Sequence, residues 1–137
     1  MKKFIGILLA LVMVFASIAA SASDIKVLVN GQEVEFDQGP VIDGETVLVP
    51  LRFVFEKLGA IVSWHEDTQT IFSVIENDMV TLQIGNENMF TADNSIVLEK
   101  APVIIGDRTL ISSEVIEKGI GAEFVWDELN KTVTINK

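Results

Sequence analysis

The sequence predicts an α+β fold in which two hairpin–helix–hairpin units pack together as one domain. Three observations carry that expectation. The chain matches itself when it is shifted by 62 positions. From residue 23 onward Val and Ile number 28, against 8 Leu and 4 Ala, and β-branched side chains suit pleated strands better than helices. Each unit, at about sixty residues, is marginal as a core of its own, and the chain has no cysteine to staple it.

The self-match needs no gap. Pro40-Val41-Ile42 falls on Pro102-Val103-Ile104, Gly44 on Gly106, Leu48 on Leu110 and Gly59-Ala60 on Gly121-Ala122. Trp64 falls on Trp126, Glu66 on Glu128 and Thr70 on Thr132, which makes ten identities over the 34 positions from 40 to 73. Tryptophan and proline are among them, so chance is a poor explanation. The two repeats run from about 25 to 76 and from about 79 to 136.

Each element follows from local chemistry. Lys26–Val29 and Glu33–Phe36 flank Asn30-Gly31, the strongest short hairpin signal because both residues tolerate positive φ. Val47–Val49 reads as a short strand. Pro50 suits the first turn of a following helix, where its missing N–H is not needed. Leu51, Val54, Phe55 and Leu58 then line one helical face, and Gly59 is placed to end the helix in a left-handed conformation. Val62 and Trp64 share a face of the next strand, residues 65–69 form a polar loop, and Thr70–Val74 returns. The second unit repeats the order. Val80–Ile84 pairs with Asn88–Thr91 around Gly85-Asn86-Glu87, and Asp93-Asn94 turns into Ser95–Leu98. Ser112 or Ser113 stands as N-cap of a short helix that ends at Gly121. Phe124, Trp126, a loop at 127–130 and Lys131–Ile135 close the unit. Trp64 and Trp126 are expected at equivalent places in the core, with exposed platforms for sugar rings as the alternative reading.

Residues 1–22 read as an address rather than structure. Lys2 and Lys3 precede an uncharged run from Phe4 to Ala16, and Ala20-Ser21-Ala22 fits small-x-small cleavage. The run is short for a membrane span, so no stable insertion is expected once it is cut. Its removal takes two lysines and no acid. Residues 23–137 would then carry 8 basic and 20 acidic groups on 115 residues, a net charge of −12. Such a balance argues against nucleic-acid binding, which needs a basic surface to displace counterions. A single histidine, His65, and no cysteine exclude zinc sites built from several imidazoles or thiolates.

The string from Val47 to Ala60, followed by Val62-Ser63-Trp64 and Thr70-Ile71, resembles the copper amine oxidase N-terminal-like domain of secreted and surface-exposed bacterial proteins. Val29-Asn30-Gly31-Gln32, the Pro40–Gly44 segment and Val80–Gly85 are similar to it too, so the resemblance spans about Ile25 to Ile135. It implies a non-catalytic stalk domain in which twisted antiparallel sheet wraps short helices, with Pro50, Arg52, Gly59, Trp64, Gly121 and Trp126 as its structural motif. The oxidase chemistry of the family's name needs a tyrosine-derived quinone and copper held by three histidines. This chain has no tyrosine and one histidine. The second unit also departs from the motif, with Ser112-Ser113-Glu114 where the first has Pro50-Leu51-Arg52. A site that depends on that arginine exists once.

No motif for a nucleophile, a phosphate loop or a Ca²⁺ loop appears. His65, Glu66 and Asp67 read as a solvated hairpin tip, and Arg52 as the partner of Glu56 at i,i+4. The expectation is a non-catalytic secreted or envelope-associated module that binds a polymer or protein, without catalytic, metal or cofactor-binding residues. Two alternatives stand beside it. One is a small secreted hydrolase, or an inhibitor of one, using surface carboxylates. The other is a homo-oligomer assembled through exposed strand edges such as Lys131–Asn136.

Overall fold

The computed structural model describes residues 24–137, and the signal segment expected at 1–22 lies outside them. The chain runs β1 (Lys26–Val29), β2 (Gln32–Glu33), β3 (Val41–Asp43), β4 (Thr46–Pro50), α1 (Leu51–Lys57), β5 (Ile61–His65) and β6 (Thr70–Ile75). It continues through β7 (Asp78–Gln83), β8 (Asn88–Thr91), β9 (Ser95–Val97), β10 (Val103–Ile105) and β11 (Arg108–Ile111). A π-helical turn, Val115–Gly119, then leads to β12 (Glu123–Asp127) and β13 (Thr132–Asn136).

The strands form three sheets, ordered β12-β13-β1-β2, β10-β11-β4-β3 and β5-β6-β7-β8-β9. All pairs are antiparallel except one: β1 lies parallel to β13, with Val27 opposite Val133 and Val29 opposite Ile135. The first strand of the chain therefore completes a sheet with the last hairpin. This pairing corrects the expectation that Lys131–Asn136 is a free edge, because β13 is flanked by β12 and β1.

Alternation places the core. Val27, Val29, Ile71, Ile75, Val80, Leu82, Met89, Val133 and Ile135 point inward from the two outer sheets. They meet Val49, Leu51, Val54, Phe55, Ile111, Val115 and Ile116 in one cluster. The Asn30-Gly31 turn has φ of 49° and 83°, the two positive values of a type I′ turn whose twist matches the strands. Beyond it β2 is only two residues long, shorter than its sequence suggests. The Pro40–Gly44 segment and its partner at 102–106 each open a hairpin, β3–β4 and β10–β11. Their inner strands, β4 and β11, pair with each other.

Helix α1 buries Leu51, Val54 and Phe55. Its C-terminus closes in a Schellman motif. The Ala60 N–H donates to Phe55 O at 2.9 Å and the Gly59 N–H to Glu56 O at 3.0 Å, with Gly59 at φ 93°, where a side chain is strained. Pro50 sits one position earlier than expected: it is the last residue of β4, extended at φ −63° and ψ 123°, and serves as N-cap. The matching segment is not an α-helix. Its closing bond runs from the Ala122 N–H to Ile116 O, and neither serine caps it with a side chain. The Ser112 hydroxyl is buried without a partner. A wider turn arises where the segment packs on β7, β8 and β12. There Gly119 lets the backbone approach until an added Cβ would lie 3.1 Å from Val80 and 3.2 Å from Met89.

Candidate functional site

A groove of about 420 Å³ lies between the start of α1, the β5–β6 hairpin and the β10–β11 hairpin. Pro50, Leu51, Arg52 and Phe53 form its base. Val62, Trp64, Glu66, Gln69 and Ile71 make one wall, and Ile104, Asp107, Arg108 and Thr109 the other. The turn from β4 into α1 at Pro50 brings Arg52 and Phe53 into the groove. Trp64 shares the inner face of β5 with Val62 but lies beyond the reach of the core. Its indole is 37% exposed and lines the groove, which corrects its expected place in the core. Trp126, at the matching position, is partly buried and packs against the core.

The groove holds two cations with different fates. Arg108 is committed: its guanidinium donates to both Asp37 carboxylate oxygens, at 2.6 Å from Nη2 to Oδ2 and 3.1 Å from Nε to Oδ1. It also lies 4.9 Å from the centroid of Phe53. Phe53 in turn meets Phe36 edge-on at 5.5 Å. The Arg108 hydrogen bonds hold the Asp37 carboxyl below its ordinary range, and Asp37 raises Arg108 in return. Arg52 is less engaged. Its closest acid is Glu56 at 4.0 Å, with both side chains about half exposed, so the expected i,i+4 pair stands beyond hydrogen-bond distance. The groove thus offers an indole face, a phenyl edge and one loosely held guanidinium.

A second, shallower groove of about 290 Å³ is lined by residues 62 positions away from those of the first. Ser112, Ser113 and Glu114 stand for Pro50, Leu51 and Arg52, and Trp126 stands for Trp64. Glu45, Thr46 and Val47 stand for Asp107, Arg108 and Thr109. Its character is the reverse. Glu114 accepts the Glu99 backbone N–H at 2.6 Å and Lys118 Nζ at 3.0 Å. Burial pushes the Glu114 carboxyl up, but these two donors outweigh it and hold the group below its ordinary range. Lys100 beside it pairs with Asp43.

His65 is the last residue of β5 rather than part of a loop, and its ring meets Phe72 edge-on at 5.2 Å. Among the described residues no three His, Asp or Glu side chains converge as metal ligands. No described helix is long and apolar enough to cross a membrane. The carboxylates with displaced proton affinity, Asp37, Glu114 and Asp127, are all lowered. For Asp127 the cause is the Asn130 side chain and backbone. A general acid needs the opposite displacement.

The model of the copper amine oxidase N-terminal domain matches residues 28–135. The chain belongs to the copper amine oxidase N-terminal domain family. None of the curated proteins compared with it matches. The matched domain is the non-catalytic, stalk-like one of copper amine oxidases, and no catalytic domain is matched. The string of residues 47–60 that carries the family resemblance contributes the base of the groove, from Pro50 to Phe53. Sequence reasoning singled out Arg52 and Trp64 but missed Phe53, Asp37 and Arg108. One signal was legible: Arg108 stands 62 positions after Thr46, a charge where the aligned position has a hydroxyl.

Proposed function

We propose that this chain is a non-catalytic module acting outside the cytoplasm, at or near the cell envelope, and that it holds a polymer strand or partner protein in the Trp64 groove. In this reading its domain is built by duplication of one hairpin–helix–hairpin unit, and only the first copy keeps a groove with a loosely held cation. The observation that carries the proposal is the contrast between matched grooves. Around Trp126 the carboxylate and lysine satisfy each other. Around Trp64 the indole is a little over one-third exposed and Arg52 is free to turn toward a ligand. An indole face with an adjacent guanidinium suits a sugar ring bearing an acidic substituent, or an aromatic or acidic peptide side chain. Family membership supports the non-catalytic reading, and the lack of tyrosine in this chain leaves no precursor for the oxidase quinone.

The test is retention on purified cell wall and on intact cells, with Trp64→Ala, Arg52→Ala and Trp126→Ala compared at equal folded fraction. Retention that falls about tenfold or more in the first two variants, and little in the third, supports the groove. Absence of retention on either material, with no cross-linked partner, rejects the proposal.

A further inference from the structure

The five-stranded sheet turns an outer face to solvent that differs in kind from the rest of the surface. Its central row runs Ser63, Phe72, Thr81, Phe90 and Ser95 across all five strands. The row on one side runs Ile61, Val74 and Met79. Val97, opposite Asn88, belongs to the other side. Exposure is 74% at Ile61, 40% at Phe72, 45% at Val74, 43% at Met79, 48% at Phe90 and 67% at Val97. Over ordinary side-chain areas those fractions amount to roughly 600 Å² of apolar surface, the upper end of what a monomer normally shows. No Asp, Glu, Lys or Arg points out of this face from the strands, on a chain with net charge −10.

The fold supplies its own control. The terminal sheet β12-β13-β1-β2 places residues 62 positions away at matching outward sites. There Glu123 stands for Ile61, Asp127 for His65, Thr134 for Phe72, Asn136 for Val74, Lys26 for Asn88 and Glu33 for Ser95, while Val125 for Ser63 and Leu28 for Phe90 are its apolar members. These strands tolerate an outer face that is mostly charged and polar around Val125 and Leu28, so folding does not require the larger apolar one. The edges differ likewise: β5 reads Ile-Val-Ser-Trp-His, whereas β12 is bracketed by Glu123 and Asp127, the charges that guard a sheet edge.

We infer that the outer face of the five-stranded sheet is a homodimer interface, and that its occupant is a second copy of this chain. Two features favour a second copy over another partner. Two chains this acidic repel in most orientations, and the strands of this face, bordered by Glu66 and Asp67 only at the β5–β6 tip, are where they meet with least like-charge contact. The face is also self-complementary. Phe72 and Phe90 flank Thr81 on β7 in one row, so a two-fold axis along β7 and parallel to the sheet exchanges them. Each phenyl then meets the other phenyl of the second copy, with the sheets about 10 Å apart. The apolar centre and its neutral rim of Ser63, Gln83, Asn88 and Ser95 approach the roughly 800 Å² per partner of a standard interface.

The test is sedimentation of the full-length gene product, purified in the form the cell releases, over a wide concentration range. The expected result is a dimer that dissociates on dilution. Ile61→Glu and Phe72→Glu should each weaken it about a hundredfold or more, while the matched Thr134→Glu on the terminal sheet leaves it unchanged. Ile61→Glu copies the residue found at the equivalent site, so circular dichroism should show an unaltered fold. A monomer at every concentration overturns the inference. So does a dimer indifferent to Ile61→Glu, or a monomer retained on wall polymer through Phe72, which would make the face a polymer platform. Failure here leaves the Trp64 groove untouched, because that groove lies on the inner side of β5.

Discussion

Two eight-residue stretches, 51–58 and 113–120, each join an inner strand to an outgoing hairpin and end before a glycine at positive φ. One is an α-helix and the other widens into a π-helical turn. The difference lies in what each packs against. Helix α1 rests on β4, β5 and β11, with Lys57 exposed at its end. The π turn rests on β7, β8 and β12, and buried Gly119 stands where Lys57 does in the first stretch. Strand β7 has no counterpart beside α1: in the terminal sheet β13 pairs directly with β1. An extra strand brings an extra packing surface, and the second stretch opens its turn to reach it. Tertiary packing outweighs helix propensity here, as expected for a segment rich in Val and Ile.

That comparison is sharpest where matched residues differ in burial. Phe55 is fully buried, whereas the matching Glu117 is exposed. Phe55→Ala should cost about 3–5 kcal/mol, and Glu117→Ala within about 0.5 kcal/mol, by urea denaturation. Equal losses at both would break the packing account. Next in size is Gly119→Val, which pushes a branched side chain onto Val80 and Met89 and should cost about 1–3 kcal/mol. Lys57→Val should be near neutral. If Gly119→Val is neutral as well, close approach is not what selects the π turn. At the capping glycines the two stretches should behave alike: Gly59→Ala and Gly121→Ala should each lose about 1 kcal/mol, because both sit at positive φ. The smallest effect concerns pH. Asp37 is lowered in the folded state, so the stability it contributes is present above its unfolded value near 4 and is lost as pH falls through the lower folded value. Asp37→Asn should flatten the acid limb of a melting-temperature profile slightly, since the pair with Arg108 is exposed. The Lys118–Glu114 pair of the other half would keep its own acid dependence.

The sequence was most readable where the determinants are local. Asn30-Gly31, the alternation of β5–β6 and β12–β13, and the glycine caps announce themselves over four to eight residues. The α1 face was equally plain. What escaped depends on distant partners. The β1–β13 pairing joins residues about a hundred positions apart, and nothing in Lys26–Val29 specifies a parallel neighbour. The π turn follows from contact with β7 and β8 rather than from Ser113–Ile120. The Pro40–Gly44 and Pro102–Gly106 segments carried part of the sequence self-match, but were too short and too varied in burial to read as strands. Trp64 looked like core because it alternates with Val62. Only the fold shows that the wall opposite it is a polar hairpin carrying Arg108. Arg52 was legible as a residue that occurs once in the self-match.

The parallel pairing of β1 with β13 has a mechanical consequence. The chain enters β1 at Lys26 and leaves β13 at Asn136, so its two ends depart from opposite ends of one ladder. Tension between them runs along the strands. It loads the bonds from the Lys26 N–H to Lys131 O and from the Asn30 N–H to Ile135 O in shear, together rather than in succession. An antiparallel closing pair would instead bring both ends to the same side and unzip bond by bond. Stretching single molecules by their ends should therefore meet one high rupture force, and a low, stepwise release would show that the ladder is not what bears the load.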